Sequence, residues 1–336
     1  MNLGKVSQSV LGRSVFKYIK ARRNEVAVGP IAGEDCAVLH LEEAAGLFLA
    51  QSKMAPYLSD AGTYAVLSVV NKIAAQGGVC IGVMVHAILP ANAREIRIKE
   101  LMQELDAVCA RYDLQILGGH TELSDAVSRP VVSLTGVGRA DAGKDASQTY
   151  IRSGGARPGQ DVVITKWVGL EGTVILAKER EKELLERLPK HFIKDAAAFD
   201  RLLCIRSEAA TAIKSGVSAM HAASEGGIFG ALWELAESAG VGLSVDLKKI
   251  PIKQETIEIS EFFHINPYEL LSGGSLLLVT ENGNELVRQL AAEQIPATVI
   301  GITTDGNDRV LTNGEEIRFL VPPKRDEIYQ RFAELS

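Results

Sequence analysis

The sequence reads His221-Ala222-Ala223-Ser224-Glu225-Gly226-Gly227 and continues directly into the segment IFGALWELAESA at residues 228–239. The apolar residues of that segment recur with the spacing of one helical face: Ile228, Leu232, Leu235 and Ala236. The pair Gly226-Gly227 is therefore predicted to lie at the N-terminus of a helix, with Glu225 just before it. Free backbone N–H groups and the helix dipole favour an anion such as phosphate at that position. A tight turn is the commoner use of glycine at a helix start, so these residues alone leave both readings open.

The heptapeptide resembles the His-Asp-x-Thr-Glu-Gly-Gly motif of the AIR synthase superfamily, where AIR is aminoimidazole ribonucleotide. The superfamily includes AIR synthase, the hydrogenase-maturation carbamoyl dehydratases, thiamine monophosphate kinase and selenophosphate synthetase. Its members bind ATP through magnesium that is held by aspartates. The aspartate of the motif is replaced by Ala222 in this chain. The resemblance therefore implies both the family's fold and a change at its metal site.

Four further segments resemble family motifs and occur in the family's order: Gly33–Val38, Gly118–Glu122, Lys166–Thr173 and Leu271–Ser275. The first resembles the segment that carries a magnesium ligand, and the second resembles a Gly-Gly-x-Thr segment near the ATP. The third resembles the loop that opens the second domain, and the fourth resembles a segment beside the nucleotide. The ensemble is most similar to the AIR-synthase-related proteins that are grouped with the hydrogenase-maturation dehydratases.

The resemblance implies a role for each matching position. The candidate catalytic residues are His120, Glu122 and Glu225. The candidate nucleotide-binding residues are Asn71, Lys72, Gly118, Gly119, Thr121, Lys166, Gly226, Gly227, Ser272 and Gly273. The candidate metal ligand is Asp35. Taken singly, these residues have commoner explanations, such as a turn carboxylate for Asp35, a hydrogen-bonded loop histidine for His120 and a solvated side chain for Lys166.

The other aspartate positions of the family's metal site are altered in this chain. Ser52 stands at the first of them, or Gln51 if the alignment slips by one residue; Lys72 stands at the second and Ala222 at the third. A site whose one carboxylate is offset by one ammonium has little electrostatic attraction for a divalent cation. ATP therefore stays a candidate cofactor, whereas magnesium binding is predicted to be weak or absent. We expect the Lys72 ammonium to pair with Asp35, unless it turns towards solvent.

Two functions from different classes remain. The first is an AIR-synthase-related, hydrogenase-maturation-factor-like protein that binds a nucleotide or phosphorylated small molecule with weakened or lost catalysis, and the replaced aspartates favour it. The alternative is an active ATP-dependent dehydratase, ligase or kinase-like enzyme with a reorganised metal site. The dehydratases act on their own C-terminal cysteine, whereas the last cysteine here is Cys204 and the sequence ends at Ser336. Carbamoyl dehydration in cis is therefore not expected.

The composition of the chain argues against several other classes of function. The 336 residues carry a net charge of -6 and contain no long basic run, so nucleic acid is not an expected partner. The most apolar stretch, Ile73–Pro90, is interrupted by Gln76, two glycines and His86, and the N-terminus has no apolar signal core, so no membrane association is predicted. The four cysteines lie far apart and are expected to be buried thiols in a reducing cytoplasm.

The alternation of strand and helix patterns predicts an α/β or α+β protein. The Gly-rich segment Ser153–Gln160 follows a run of small and polar residues, which places a domain boundary near residue 150. We expect an N-terminal domain of residues 1–150 and a C-terminal α/β domain of residues 151–336. The resemblance implies that the first domain binds ATP and pairs with a second copy to form a dimeric β-barrel, with the nucleotide in the cleft between the two domains.

Apolar periodicity predicts helices at Val6–Arg23, Ala61–Gln76, Glu95–Tyr112, Gly172–Leu188 and Phe199–Ser215. Bounded apolar runs predict strands that include Gly242–Asp246 and Leu276–Thr280. The tail, Lys324–Ser336, follows Pro322-Pro323, and we expect it to form a peripheral helix or to fray.

Overall fold

The structure is a computed structural model, and it describes residues 4–5, 8–28, 38–39, 47–53, 60–140 and 150–332. The chain divides into two units, one of residues 1–73 and 78–150 and the other of residues 74–77 and 151–336. Both units combine strands with helices, so the predicted α/β (α+β) class is confirmed.

The first unit contains a mixed sheet with helices. Its strands are β1 Gly4–Lys5, β2 Val26–Val28, β3 Val38–Leu39, β4 Leu47–Lys53, β5 Gly78–Pro90, β6 Gln115–Ser124 and β7 Val131–Ala140. Its helices are α1 Gln8–Ser14, α2 Ala61–Ala75 and α3 Glu95–Arg111. Five described strands form one sheet in the order β1-β6-β5-β7-β4, and β2 pairs with β3. Within the larger sheet β5 and β6 are parallel, while the other pairs are antiparallel.

Helix α2 covers one face of this sheet. A Cβ atom added at Gly138 would lie 2.7 Å from the side chain of Ile73, and one at Gly136 would lie 2.8 Å from Val69. The two glycines therefore let the helix approach β7 closely. The opposite face carries exposed apolar side chains, because Leu49 of β4 is 66% exposed and Val131 of β7 is 50% exposed.

The second unit is built on a seven-stranded sheet. Its strands are β8 Asp161–Thr165, β9 Ala219–Ala222, β10 Gly242–Asp246, β11 Leu276–Thr280, β12 Ala297–Thr304, β13 Arg309–Asn313 and β14 Glu316–Phe319. Its helices are α4 Leu170–Glu179, α5 Glu181–Leu184, α6 Lys190–Ala197, α7 Arg206–Lys214, α8 Gly227–Ala239, α9 Gln254–Phe263, α10 Gly283–Ala292 and α11 Tyr329–Phe332. The strand order is β14-β13-β10-β12-β8-β11-β9.

Strand β8 is buried on both faces of the second sheet. Val162 and Ile164 pack in the same apolar cluster as α8, whereas Val163 packs in the cluster that contains residues of α7 and α10. Because successive side chains of a strand point to opposite faces, the sheet lies between two helical layers.

Two predicted helices are wrong in their extent. Of Val6–Arg23, the described helix covers Gln8–Ser14, and only a short 3₁₀ turn at Phe16–Tyr18 follows it. Further on, the backbone N–H of Lys20 donates to the Asp106 carboxylate, so a side chain on α3 takes the place of a helical acceptor. The helix predicted for Phe199–Ser215 is a 3₁₀ helix at Ala198–Leu202 and a separate helix α7.

Candidate functional site

Three loops of the second unit meet and hydrogen bond with one another. We call them the loop cluster: residues 166–169, 223–227 and 268–275. The Ser272 backbone N–H donates to the carbonyl of Ser224 at 3.1 Å, and the Ser272 hydroxyl accepts from the Gly169 N–H at 2.8 Å. The Ala223 N–H donates to the Ser275 carbonyl at 3.0 Å. The structure thus brings together the motif residues of the second half of the chain.

Helix α8 begins at Gly227, so the predicted helix N-terminus at the glycine pair is confirmed. Both glycines have a positive φ, 85° at Gly226 and 65° at Gly227. A Cβ atom at Gly227 would lie 2.4 Å from the Tyr268 carbonyl oxygen. Glycine is therefore required here by left-handed backbone geometry and by the close approach of a neighbouring loop.

Three backbone N–H groups at this helix start already have acceptors, contrary to expectation. The Gly226 N–H donates to Asp326 Oδ2 at 2.7 Å, and the Gly227 N–H donates to the Ser224 carbonyl at 3.1 Å. The Phe229 N–H donates to the Tyr268 carbonyl, also at 3.1 Å. An external anion would have to displace an acceptor before it could bind to any of these three groups.

Asp326 is buried against the loop cluster and is only 2% exposed. Its Oδ1 accepts from the N–H groups of Leu271 at 3.2 Å and of Ile328 at 2.9 Å. Burial raises the pKa of Asp326 to about 6, and the Glu225 carboxylate adds to this shift, although the three N–H donors oppose it. The tail does contain the short helix α11, but the expectation of a peripheral segment is wrong for Asp326.

Lys166 is 5% exposed and lies inside the second unit. Its ammonium contacts the Glu208 carboxylate at 2.5 Å and donates to the carbonyls of Leu202 at 2.7 Å and Cys204 at 2.9 Å. An ammonium has three hydrogens, and these three acceptors use them. Burial lowers the pKa of Lys166, and the Glu208 carboxylate opposes that shift. The Lys166 side chain, a candidate for nucleotide binding, therefore holds residues 202–208 in place through these contacts.

The remaining motif residues of the loop cluster differ in their exposure. Ser272 is fully buried and donates its hydroxyl to the Leu270 carbonyl at 2.8 Å. A Cβ atom at Gly273 would lie 1.9 Å from the Glu171 carboxylate, so this glycine lets a carboxylate approach the backbone. Glu225 is exposed.

His120 and Glu122 lie on the face of the first sheet opposite α2. Their side chains approach to 3.2 Å between Nε2 and Oε2. His86 lies opposite His120 on β5, with the ring centroids 5.6 Å apart. The predicted catalytic residues His120 and Glu122 thus lie together on a solvent-facing sheet surface of the first unit.

The predicted nucleotide-binding segment of β6 contains a glycine that the pairing of the strands requires. A Cβ atom at Gly119 would lie 1.8 Å from the Val85 carbonyl oxygen, whereas one at Gly118 would meet only the Met84 side chain, at 3.7 Å. Thr121 is buried on the other face of the strand, at 9% exposure. Gly119 is therefore needed for the close pairing of β5 with β6, whatever else it does.

Two altered metal positions lie side by side in the first unit. The Lys72 ammonium donates to the Gln51 carbonyl at 2.9 Å, and the Ser52 hydroxyl donates to the Ala65 carbonyl at 2.8 Å. Asn71 is buried at 7% exposure. Asp35 lies outside the described residues, so its pairing with Lys72 stays a prediction. Among the residues that are described, no group of three or more His, Cys, Asp or Glu side chains is arranged to hold a metal ion.

His221 lies in a polar contact chain that the sequence did not reveal. Its Nδ1 lies 3.0 Å from the Ser153 hydroxyl, and its Nε2 lies 2.9 Å from the Glu234 carboxylate. Ser153 and Asp326 were both missed, since each is distant in sequence from the motif residues and belongs to no local pattern. Ala222, at the lost aspartate position, is paired with Leu276 in the sheet.

Family comparison agrees with this architecture. The family model described as AIR synthase related protein, N-terminal domain, matches residues 33–140, and its C-terminal counterpart matches residues 157–312. The chain belongs to the AIR synthase related protein family. Both halves of the family's domain pair are therefore present in the sequence.

Two curated relatives each match more than half of this chain. A protein of Methanocaldococcus jannaschii named for hydrogenase expression and formation is 21% identical over 83% of this chain and 80% of its own length. The carbamoyl dehydratase HypE of Rhizobium leguminosarum is 26% identical over 65% of this chain and 59% of its own length. The chain thus matches only about three fifths of that dehydratase.

Solved structures share the fold. HypE in complex with ATP superposes with a TM-score of 0.74 at 16% identity and covers 97% of both chains. The thiamine-monophosphate kinase of Stenotrophomonas maltophilia gives a TM-score of 0.70 at 17% identity, over 93% of this chain and 98% of its own. At these identities the comparison establishes the fold alone.

Across the part of this chain that the structure describes, none of the helices is both long and apolar enough to cross a membrane.

Proposed function

We propose that this HypE-like chain binds a nucleotide or a phosphorylated small molecule and has weakened or lost metal-dependent catalysis. The family membership supports nucleotide binding, since a HypE relative has been solved with ATP and a thiamine monophosphate kinase with AMPPCP. Binding by this chain and its loss of turnover are both inferences from residues at the site.

The observation that carries the proposal is the position of Lys72. Its ammonium is hydrogen bonded to the carbonyl of Gln51, the residue before Ser52. The resemblance expects carboxylates at both Ser52 and Lys72, where they would hold magnesium. Lys72 is exposed, but an ammonium in that place repels a divalent cation, and a hydroxyl that already donates to Ala65 is a weak ligand.

An active enzyme is the second candidate. The exposed residue Glu225 of the loop cluster favours it, because a carboxylate near a bound phosphate could help to hold a reorganised metal site. The reaction would then be an ATP-dependent dehydration, ligation or phosphoryl transfer, with the phosphates stabilised by charge.

A calorimetric titration of ATP, with and without magnesium, separates the two functions. We expect magnesium to leave the ATP affinity of the native chain unchanged and ATP hydrolysis to stay at background. The triple variant Ser52→Asp, Lys72→Asp and Ala222→Asp should gain magnesium-dependent binding. The exposed Lys249→Asp serves as a charge-changing control in the second unit. Tight magnesium-dependent ATP binding by the native chain would favour the active enzyme.

A homodimer formed through the first unit is part of the proposal. Leu47 and Leu49 project from the edge strand β4 on the sheet face away from α2, and they are 55% and 66% exposed. A second copy would bury these side chains and cover the open edge strand. A cytoplasmic location is supported by Cys80 and Cys109, which are buried as thiols rather than joined in disulfides, as is typical of a reducing compartment.

A further inference from the structure

A serine, a histidine and a glutamate of the second unit form one line of polar contacts. The Ser153 hydroxyl lies 3.0 Å from His221 Nδ1, and the Glu234 carboxylate lies 2.9 Å from His221 Nε2. The imidazole thus has a hydroxyl at one ring nitrogen and a carboxylate at the other. A hydroxyl, an imidazole and a carboxylate in this order are the groups that activate a serine for attack on a carbonyl carbon.

A tightly packed turn fixes the position of the serine. Ser153 begins the 3₁₀ turn Ser153–Gly155, which lies beside both β9 and α8. A Cβ atom at Gly155 would lie 2.1 Å from the carbonyl oxygen of Ser218, and one at Gly154 would lie 2.6 Å from that of Ser238. The two glycines therefore let the turn approach the strand that carries the histidine and the helix that carries the glutamate.

The contacts of the imidazole determine which nitrogen can act as a base. A carboxylate only accepts hydrogen bonds, so we assign the hydrogen of the neutral His221 ring to Nε2, which faces Glu234. The lone pair then lies on Nδ1, which faces the Ser153 hydroxyl. That hydroxyl also lies 3.0 Å from the Met220 carbonyl oxygen. Its single hydrogen can therefore turn from the carbonyl to Nδ1 by rotation about one bond.

These side chains are open to a small molecule. The side chains of His221 and Glu234 are 23% and 53% exposed, and Ser153 is partly exposed. Water screens an ionic contact of this kind, so it contributes little to the stability of the fold. Stability therefore gives no strong reason for the three groups to lie in this order.

A backbone donor lies on the same edge of β9 as the serine. The Ala223 N–H donates to the carbonyl of Ser275, on the side of β11. Because N–H groups of successive strand residues point to opposite edges, the Ala222 N–H points to the outer edge of β9. The Met220 carbonyl that accepts from the Ser153 hydroxyl lies on that outer edge too. The Ala222 N–H can therefore donate to the oxygen that becomes negative when the serine attacks a carbonyl.

We propose that Ser153, His221 and Glu234 form a second, metal-independent site that hydrolyses small carboxylic esters. An ester is the substrate class because its alcohol leaves more readily than an amine, so that a single backbone donor for the oxyanion is enough. The Glu234 carboxylate is a positioning group, which holds the ring and its tautomer. The reaction does not depend on nucleotide binding and goes beyond the proposed function.

The reaction has two steps, and His221 Nδ1 carries the proton in both. Ser153 Oγ attacks the carbonyl carbon and its proton passes to Nδ1; the bond to the alcohol oxygen then breaks, and the alcohol leaves with that proton. In the second step water attacks the acyl-serine and gives a proton to Nδ1. The bond to Ser153 Oγ breaks, the serine recovers the proton, and the carboxylic acid leaves. The sum is ester plus water giving acid plus alcohol.

The test combines hydrolysis of p-nitrophenyl acetate with covalent labelling by a fluorophosphonate, which an activated serine attacks with loss of fluoride. The full native chain is compared with Ser153→Ala and His221→Gln. The controls are Ser238→Ala and His191→Gln, which remove an exposed hydroxyl and an exposed imidazole of the same unit. The histidine control is needed because any exposed imidazole hydrolyses this ester slowly. Mass spectrometry of the peptides locates the label.

We expect the native chain and both controls to release nitrophenolate in a burst and to carry the label on Ser153. Ser153→Ala and His221→Gln should each lower kcat/KM about a hundredfold. Glu234→Gln should lower kcat and leave KM unchanged, and Glu234→Asp should recover part of the loss. A merely structural role for the carboxylate would not separate kcat from KM in this way.

Three results would overturn the proposal. The first is a native chain in which the fluorophosphonate does not label Ser153, and this measurement decides alone if the variants do not fold. The second is a Ser153→Ala chain that hydrolyses the ester as fast as the native chain. The third is a rate that His191→Gln lowers as much as His221→Gln does, which would show unspecific catalysis by surface imidazoles.

Discussion

The ammonium of Lys166 and the carboxylate of Glu208 form a buried ion pair with a contact of 2.5 Å. Their side chains are only 6% and 5% exposed, so both charges have been removed from water. The pair joins the end of β8 to the first turn of α7. Because a single charge at this depth would be strongly destabilising, each residue depends on the other.

Removing one partner of this pair should destabilise the second unit. We expect Glu208→Ala to lower the free energy of unfolding by about 3–5 kcal/mol, because it leaves the Lys166 ammonium uncompensated. The double variant Lys166→Met with Glu208→Leu should recover most of that loss. Urea denaturation measures both. A double variant no more stable than Glu208→Ala would show that the carbonyl contacts, rather than the charge pair, matter most.

The partly exposed pair of Lys178 and Asp200 provides the matched control. Its nitrogen–oxygen distance is 3.0 Å, but the two side chains are 25% and 45% exposed. Water screens such a pair, so Asp200→Asn should cost less than about 1 kcal/mol. A cost as large as that of Glu208→Ala would contradict the role assigned to burial.

Gly119→Ala should disrupt the first unit much more than Gly118→Ala does. The two glycines share nearly the same φ, 154° and 157°, but only at Gly119 would the new methyl lie 1.8 Å from a carbonyl oxygen. We expect the Gly119 variant to lose about 3 kcal/mol of stability or to be insoluble. Equal thermal unfolding temperatures for the two variants would refute this steric reading.

Local sequence patterns predicted an element correctly where the residues of the element itself determine its structure. The predicted strands Gly242–Asp246 and Leu276–Thr280 agree with β10 and β11 at both ends. Both are short apolar runs bounded by residues that favour turns. The glycine pair likewise marked the start of α8, because a left-handed residue before a helix almost requires glycine.

Local patterns failed where distant side chains determine the backbone. The predicted helix Phe199–Ser215 is interrupted because the Lys166 ammonium takes the carbonyls of Leu202 and Cys204. No spacing within that segment could indicate a lysine more than thirty residues earlier. The docking of Asp326 on Gly226 was missed for the same reason.

The proposed homodimer predicts that Leu49→Glu will yield a monomer. Leu49 is 66% exposed on the sheet face where we place the second copy, and a carboxylate there would be buried without a partner. Ile317→Glu is the control, because Ile317 is 70% exposed on β14 of the second unit. Light scattering at micromolar concentration should give a dimer for the native chain and the control. A monomeric native chain would rule out the dimer.

The raised pKa of Asp326 predicts that stability falls as pH rises. Its pKa changes from 3.8 to about 6 when the carboxyl is buried, so between these values the folded state keeps a proton that the unfolded state has lost. Stability then decreases with pH and loses up to roughly 3 kcal/mol by pH 7, an effect that Asp326→Asn should abolish. Glu95 is the control of opposite sign, since hydrogen bonds from Arg13 and Ser14 lower its pKa. Urea denaturation of the native chain and both neutral variants, Asp326→Asn and Glu95→Gln, across this window measures the difference. If the native chain gains stability relative to Asp326→Asn as pH rises, the amide donors outweigh burial and the sign assigned here is wrong.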